Sequence, residues 1–189
     1  MLDDIERVLF NEQTILSRLD ALAAEITEVY RGEELTVVAL MTGSFIFAAD
    51  LLRRIPIPLR LACLQVASYH GGSVSSGKVE FQSGLLPEVV GRHVLILDDI
   101  LDSGGTLAAV CGSLEGFRYK SLRVSVLLRK DRARAESVGA DFVGFEISDE
   151  FVVGYGLDYA ERYRNLPFIG VLRAEVFRDI GGDRDRIKG

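Results

Sequence analysis

Three short apolar runs limit the folds open to this chain more than any other feature. They are VVALM, VLIL and VSVLL, at residues 37–41, 94–97 and 124–128. A strand without a polar side is covered on both sides, because a solvated face would show polar residues at alternate positions. Helical patterns alternate with these runs along the chain. We therefore predict an α/β fold in which a parallel sheet is flanked by helices on both faces.

The remaining elements are predicted from capping residues and from the spacing of apolar side chains. Asn11 can cap a helix that ends near Gly32, and a second helical pattern ends at Arg54, before two prolines. The apolar positions of the first helix are Ile15, Leu19, Leu22, Ile26 and Val29. The other predicted elements are strands over Leu35–Met41, Leu59–Ser68, Val94–Leu97, Arg123–Leu128 and Phe142–Ile147, and helices over Leu107–Phe117 and Arg132–Val138.

Size and charge exclude several classes of protein. The 189 residues fit a single domain (1–189) with one sizeable core. A net charge of -6 argues against a general binder of nucleic acid or of membrane surfaces, both of which need a positive field. No apolar stretch approaches the roughly 20 residues of a membrane span, and the acidic N-terminus is not a secretory signal. We expect a cytoplasmic protein, with Cys63 and Cys111 as buried thiols.

The segment Val94–Thr106, with the sequence VLILDDILDSGGT, combines a buried strand, an acidic turn and a small-residue loop that opens a helix. Residues Ser103 to Thr106 offer backbone N–H groups, two hydroxyls and a helix N-terminus, which together suit a phosphate. Three carboxylates beside a phosphate would repel it. Sugar hydroxyls donating to Asp98 and Asp99, with magnesium neutralising the phosphates, would resolve that conflict.

A plainer interpretation treats the same segment as a capped helix with solvated acidic residues. The sequence contains neither the nucleotide P-loop pattern nor the G-x-G-x-x-G dinucleotide pattern, so those two phosphate sites are excluded.

The whole of Val94–Thr106 closely resembles the phosphoribosyl pyrophosphate motif of the type I phosphoribosyltransferases. That motif has four apolar residues, two acids, two apolar residues, Asp, Ser or Thr, Gly, any residue and Thr. Gly43–Arg54 and Asp141–Leu172 resemble the hypoxanthine (or hypoxanthine-guanine) branch of the family. The resemblance also implies a small hood formed by the termini, from the N-terminal segment and about residues 148–189.

The resemblance implies roles for the motif residues. Asp98 and Asp99 would hold the ribose hydroxyls, directly or through magnesium-bound water, and Asp102 would be the general base near purine N7. The 5′-phosphate would lie on Ser103, Gly104, Gly105 and Thr106.

The purine site is implied by residues after two later strands. Lys130 would donate to the 6-oxo group, Phe151 would stack on the base, and Val152 would offer backbone polar groups to its edge. Asp158 would be the direct magnesium ligand, and so part of a metal set with Asp98 and Asp99. Without the resemblance, Lys130 would be a solvated lysine and Phe151 and Val152 ordinary core residues.

Pyrophosphate would be bound by several loops. The resemblance assigns this role to Thr42, Gly43, Ser68, Tyr69, Arg134 and Arg164. Relatives usually carry Lys or Arg where Thr42 stands. The site of this chain therefore lacks one positive charge that the relatives have. Ser68 and Tyr69 begin a glycine-rich segment that matches a flexible lid over about residues 68–80.

The resemblance thus implies a magnesium-dependent purine-salvage enzyme, active as a homodimer or homotetramer. It would transfer the 5-phosphoribosyl group of phosphoribosyl pyrophosphate to N9 of a 6-oxopurine, hypoxanthine and also guanine. Two alternatives stay open: a nucleotide-sensing regulatory protein on the same fold, which Thr42 favours, and a xanthine-preferring phosphoribosyltransferase.

Overall fold

A computed structural model describes residues 1–65, 89–131 and 138–176 of the chain. Its helices are α1 (Glu12–Val29), α2 (Phe45–Leu52) and α3 (Gly105–Leu114), with a short 3-10 turn at Leu2–Asp4. Its strands are β1 (Ile5–Phe10), β2 (Leu35–Met41), β3 (Leu59–Gln65), β4 (His93–Leu101), β5 (Ser121–Lys130), β6 (Phe142–Ile147), β7 (Val152–Val153) and β8 (Ile169–Leu172).

The described residues form one five-stranded sheet in the order β3-β2-β4-β5-β6, and all neighbouring strands in it are parallel. All five carboxyl ends therefore lie at the same edge, where ligands bind in sheets of this kind. The predicted α/β fold with a parallel sheet is confirmed.

Side chains of the central strands alternate between two cores. Val37 and Ala39 of β2 belong to a core that also contains buried residues of α1 and α2. Val38 and Leu40 point the other way, into a core that contains the buried face of α3. Helices thus cover both faces of the sheet, which explains why the strand sequences lack a polar side.

Helix α1 begins where the sequence predicts it. The side chain of Asn11 accepts a hydrogen bond from the backbone N–H of Thr14 at 2.9 Å, which satisfies one of the free amides of the first turn. Ile15, Leu19, Leu22 and Ile26 are fully buried. Val29 is 45% exposed, because the helix ends there and turns its last apolar side chain toward solvent.

A second, antiparallel sheet of three strands, in the order β1-β8-β7, was not predicted strand by strand. It joins the N-terminal segment to the segment beyond β6, as the implied hood requires. We call this three-stranded sheet, with the loop from Gly154 to Arg164, the hood. Its strands are two to six residues long and lack regular alternation, so their sequences carry little signal of their own.

Three expectations need correction or qualification. Strand β4 runs on to Leu101, so Asp98 and Asp99 lie in the strand and not in a turn after it. Cys63 is exposed, since β3 lies at the edge of the sheet that the described residues form, whereas Cys111 is half-buried. Three segments lie wholly or partly outside the described residues. They are the predicted helix 132–138, the end of the predicted strand 59–68 and the charged C-terminal residues 181–189.

Within residues 1–65, 89–131 and 138–176, no helix has both the length and the apolar composition that crossing a bilayer requires.

Candidate active site

A cavity of about 390 Å3 opens at the carboxyl edge of the parallel sheet, between that edge and the hood. It brings together thirteen of the sequence-predicted residues: Thr42, Gly43, Asp98, Asp99, Asp102, Ser103, Gly104, Thr106, Lys130, Phe151, Val152, Asp158 and Arg164. Residues from Thr42 to Lys130 meet here because parallel strands place their carboxyl ends at one edge, and the hood adds residues 151–164 on the other side.

Asp98 and Asp99 form the acidic floor of the cavity. Asp98 Oδ1 accepts a hydrogen bond from the backbone N–H of Asp99 at 3.0 Å, and Asp99 Oδ1 accepts one from Ile100 at 2.9 Å. Burial, followed by repulsion from Asp99, raises the pKa of Asp98 well above 3.8, and burial likewise raises the pKa of Asp99. Two adjacent carboxyls, one buried and one half-buried, favour hydroxyl donors or a cation as partners.

The loop after β4 turns directly into α3. Gly104 is the N-cap residue, with φ 87°, and the amide of Gly105 lies 3.4 Å from the hydroxyl of Ser103. The first amides of a helix have no partner within it, so they can receive an anion. Ser103, Gly104 and Thr106 line the cavity, whereas Gly105 is exposed but does not line it.

Asp102 lies beside Lys130, at the ends of two neighbouring strands. Lys130 Nζ is 3.1 Å from Asp102 Oδ2 and 3.3 Å from Asp149 Oδ1. The side chain of Lys130 is only 9% exposed, so its cavity-facing ammonium group is paired and largely desolvated. The solvated lysine of the plainer interpretation is therefore wrong. Asp149 follows β6 and was not predicted as a site residue. It belongs to no sequence motif that could have identified it.

The loop after β2 fits closely against Asp99. The Met41–Thr42 peptide bond is cis. A Cβ built on Gly43 would overlap Asp99 Oδ2, and a Cβ built on Gly156 would overlap the carbonyl oxygen of Gly43. Glycine at 43 therefore lets the loop approach the carboxylate of Asp99, and glycine at 156 lets the hood approach the backbone of Gly43.

The hood presents an aromatic ring to the cavity. Phe151 is 40% exposed and makes an edge contact with Tyr159, at 5.4 Å between ring centroids. Ordinary core packing is thus wrong for Phe151, whose ring is partly exposed and lines the cavity. Val152 is buried in the core and also lines the cavity.

Asp158 and Arg164 form an ion pair in the hood at 2.9 Å. Asp158 Oδ2 also accepts a hydrogen bond from the backbone of Glu161, and Arg164 Nη1 donates to the carbonyl of Gly156. Arg164 Nε is buried without a partner among the described residues. Arg164 therefore stabilises the turn at Gly156 through this hydrogen bond and also lines the cavity.

The donor set suits magnesium more than a closed protein metal site. Within the part of the chain that the structure describes, no three His, Cys, Asp or Glu side chains are arranged to hold a metal. Mg²⁺ usually keeps several waters and takes one or two carboxylates together with substrate phosphates. Asp98, Asp99 and Asp158, which all line the cavity, fit that pattern.

Three predicted site residues, Ser68, Tyr69 and Arg134, lie outside the described residues, as does the predicted lid. The apolar wall of the cavity was not predicted at all. It consists of Leu40, Met41, Ile100, Leu101, Leu107 and Leu157. In the sequence such residues cannot be distinguished from ordinary core residues. Only their position at the ends of strands and helices makes them part of the site.

The fold and this cavity together are those of an α/β enzyme with a site shaped for a phosphorylated ligand. A family model described as phosphoribosyl transferase domain matches residues 8–160. The chain belongs to that family, which confirms the resemblance drawn from its sequence motifs.

Individual relatives agree with this assignment. The hypoxanthine-guanine phosphoribosyltransferase of Bacillus subtilis is 45% identical over 180 residues, which is 94% of this chain and 98% of that protein. A solved hypoxanthine phosphoribosyltransferase from Staphylococcus aureus superposes with a TM-score of 0.88 at 41% identity, covering 94% of this chain and 96% of that one.

A longer relative contains a similar region. The bifunctional protein TilS/HprT of Listeria innocua is 43% identical over 95% of this chain, but the chain spans only 28% of that protein's length.

Proposed function

We propose that this chain transfers the 5-phosphoribosyl group of phosphoribosyl pyrophosphate to N9 of a 6-oxopurine. The substrates are hypoxanthine and guanine, and the products are IMP or GMP with pyrophosphate. The observation that carries this proposal is the meeting of Asp102, Lys130, Phe151 and the Ser103–Thr106 loop around one cavity. The names of the relatives support the same choice of base.

The sugar phosphate is placed at the carboxyl end of β4. Its 5′-phosphate accepts hydrogen bonds from the amides at the start of α3 and from the hydroxyls of Ser103 and Thr106. Its ribose hydroxyls donate to Asp98 and Asp99, which line the floor of the cavity. Thr42 and Gly43 approach the pyrophosphate from the loop after β2, and Arg164 approaches it from the hood.

The base lies between the hood and the end of β5. Its plane stacks on Phe151, its 6-oxo oxygen accepts a hydrogen bond from Lys130, and its edge meets the backbone of Val152. An ammonium group has only donors to offer. Adenine presents an amino group at the same position, so this site rejects it.

In the reaction, the bond between C1′ and the pyrophosphate oxygen breaks while purine N9 attacks C1′ from the opposite face. Asp102 accepts the proton from N7, which raises the electron density at N9. Such general-base help contributes roughly 10²–10⁴-fold to a rate. The cavity wall and the hood limit the access of water to the cationic ribose.

Magnesium, when bound with the substrate, neutralises charge that develops on the departing pyrophosphate. Asp158, with Asp98 and Asp99 through water, would hold it. The Asp158–Arg164 ion pair keeps both side chains at the cavity wall, where Arg164 can bind the pyrophosphate and Asp158 can bind the cation that accompanies it.

The test is to mix purified protein, phosphoribosyl pyrophosphate and magnesium with hypoxanthine, guanine, xanthine or adenine in separate reactions. We expect nucleotide from hypoxanthine and guanine. Product from xanthine alone would establish the xanthine-preferring alternative. Tight binding of nucleotide without product from any base would favour the regulatory alternative, which the departure at Thr42 supports.

The single domain over 1–189, with a lid at about 68–80 and a hood from the N-terminal segment and about 148–189, stays a prediction. The same holds for the homodimer or homotetramer that the family resemblance implies, and for the cytoplasmic location expected from the sequence.

A further inference from the structure

At the carboxyl ends of three neighbouring parallel strands, a lysine contacts two carboxylates. Asp102 directly follows β4, Lys130 is the last residue of β5, and Asp149 comes two residues after β6. The register pairs Leu101 with Arg129 and Lys130 with Ile147, so the three side chains lie side by side along the carboxyl edge.

Lys130 Nζ lies between two carboxylates of different character. Asp102, 3.1 Å away, lines the cavity, whereas Asp149, 3.3 Å away and 50% exposed, is outside the cavity wall. A buried ammonium group is drawn strongly toward its nearest carboxylate, because little water competes for it. With Asp102 alone, that attraction would hold Lys130 on the general base and away from the ligand.

We propose that Asp149 is a positioning residue that shares the ammonium group of Lys130 with Asp102 and thereby keeps Lys130 available to the 6-oxo oxygen of the base. It also keeps a carboxylate on Lys130 when Asp102 has taken the N7 proton and is neutral. Asp149 touches neither the base nor the sugar in this arrangement. The inference rests on the proposed function and deepens it, since it concerns how the same site selects its base.

The test compares Asp149→Asn with a matched charge control. Glu146→Gln removes a carboxylate three residues earlier, where Glu146 pairs with Arg129, the neighbour of Lys130. We expect Asp149→Asn to raise the KM for hypoxanthine and the Kd for IMP by about fivefold, the effect of one partly exposed charge pair. The KM for phosphoribosyl pyrophosphate should stay within about twofold, since a loss limited to the base site leaves sugar binding intact.

Two further measurements make the result specific. Asp149→Glu keeps the charge and should recover most of the affinity for hypoxanthine, which a merely misfolded edge would not do. Glu146→Gln should leave the KM for hypoxanthine unchanged. Binding of IMP by titration calorimetry gives the affinity independently of turnover.

The outcomes separate this inference from the proposed function. If the wild-type protein converts hypoxanthine but Asp149→Asn keeps the wild-type KM and Kd, the role of Asp149 is wrong and the function stands. Equal rises in the KM values of both substrates would also overturn it, because they would indicate a general disturbance of the site. A wild-type protein that converts no 6-oxopurine would overturn the function and this inference together.

Discussion

Single atoms decide how the acidic strand and the loop after β2 fit together. Gly43 has its Cα against the carboxylate of Asp99, at a spacing that leaves no room for a methyl group. A side chain at position 43 would push Asp99 away from the ribose or shift the loop that faces the pyrophosphate. Both changes act on the same substrate.

Gly43→Ala should therefore raise the KM for phosphoribosyl pyrophosphate by roughly tenfold or more, since an overpacked site costs about 1–3 kcal/mol. Gly112→Ala is the matched control, because a Cβ there meets nothing within 4 Å and lies on helix α3. Steady-state kinetics of the two variants would check this. A Gly43→Ala enzyme with unchanged KM would show that Asp99 does not need its present position.

Asp102 is expected to act on the rate and not on sugar binding. Asp102→Asn should lower turnover by about 10²–10⁴-fold while the Kd for phosphoribosyl pyrophosphate stays close to wild type. Asp131→Asn, which changes an exposed aspartate just after β5, serves as the control. An unchanged turnover in Asp102→Asn would remove Asp102 from the role of general base.

At the scale of whole elements, a hydrogen bond joins the hood to helix α2. Tyr155 Oη donates a hydrogen bond to Asp50 Oδ2 at 2.6 Å, and its ring is buried in the core with α1 and α2. Burial, followed by the hydrogen bond to Asp50, raises the pKa of Tyr155 far above its usual range, so the phenol keeps its proton. The contact aligns the Gly154–Asp158 turn with the loop that begins α2.

Tyr155→Phe should lower the free energy of unfolding by about 1–3 kcal/mol, the range for a buried hydrogen bond to a charged group. Asp50→Asn should cost less, because the amide oxygen can still accept from Tyr155. Urea denaturation of both variants and of wild type would measure the difference. If both variants lost the same free energy of unfolding, Asp50 would stabilise the fold by something other than accepting this hydrogen bond.

The elements of the parallel sheet were predictable, and those of the hood were not. Strands β2 and β6 match their predicted bounds, and α1 begins at its predicted cap. These segments bury long, regular patterns, and such patterns are visible in one sequence. The hood strands gain their stability from pairing across more than a hundred residues, as Val8 does with Gly170, and local sequence does not encode such pairing.

At the scale of the whole molecule, the acidic floor links stability to pH. Asp98 is protonated more readily in the folded protein than in the unfolded chain, because burial and then Asp99 raise its pKa. A raised folded pKa gives stability that is fully present below the unfolded pKa near 3.8 and is lost as pH rises through the folded pKa. Because neutral pH lies above the unfolded pKa, the raised pKa of Asp98 lowers the stability of the ligand-free protein at neutral pH.

Asp98→Asn should accordingly raise the unfolding temperature of the ligand-free protein, and the gain over wild type should grow as the pH rises above the unfolded pKa near 3.8 and through the raised folded pKa. Calorimetry in magnesium-free buffer would measure it. Because the amide introduced at this position does not titrate, a gain that stayed constant across this range would contradict a raised pKa for Asp98. Such a gain would indicate a packing effect instead.

The sequence by itself determined the parallel sheet, the capped helix α1 and the motif Val94–Thr106, because each depends on residues close together in the chain. It also determined the family, since that motif and the segment from Asp141 to Leu172 are long and specific. Only the tertiary structure decided that Asp149 reaches Lys130, that Gly43 and Gly156 touch, and that Phe151 stays accessible. These contacts join distant segments, and their free energy comes from packing that exists only after the sheet and the hood have formed.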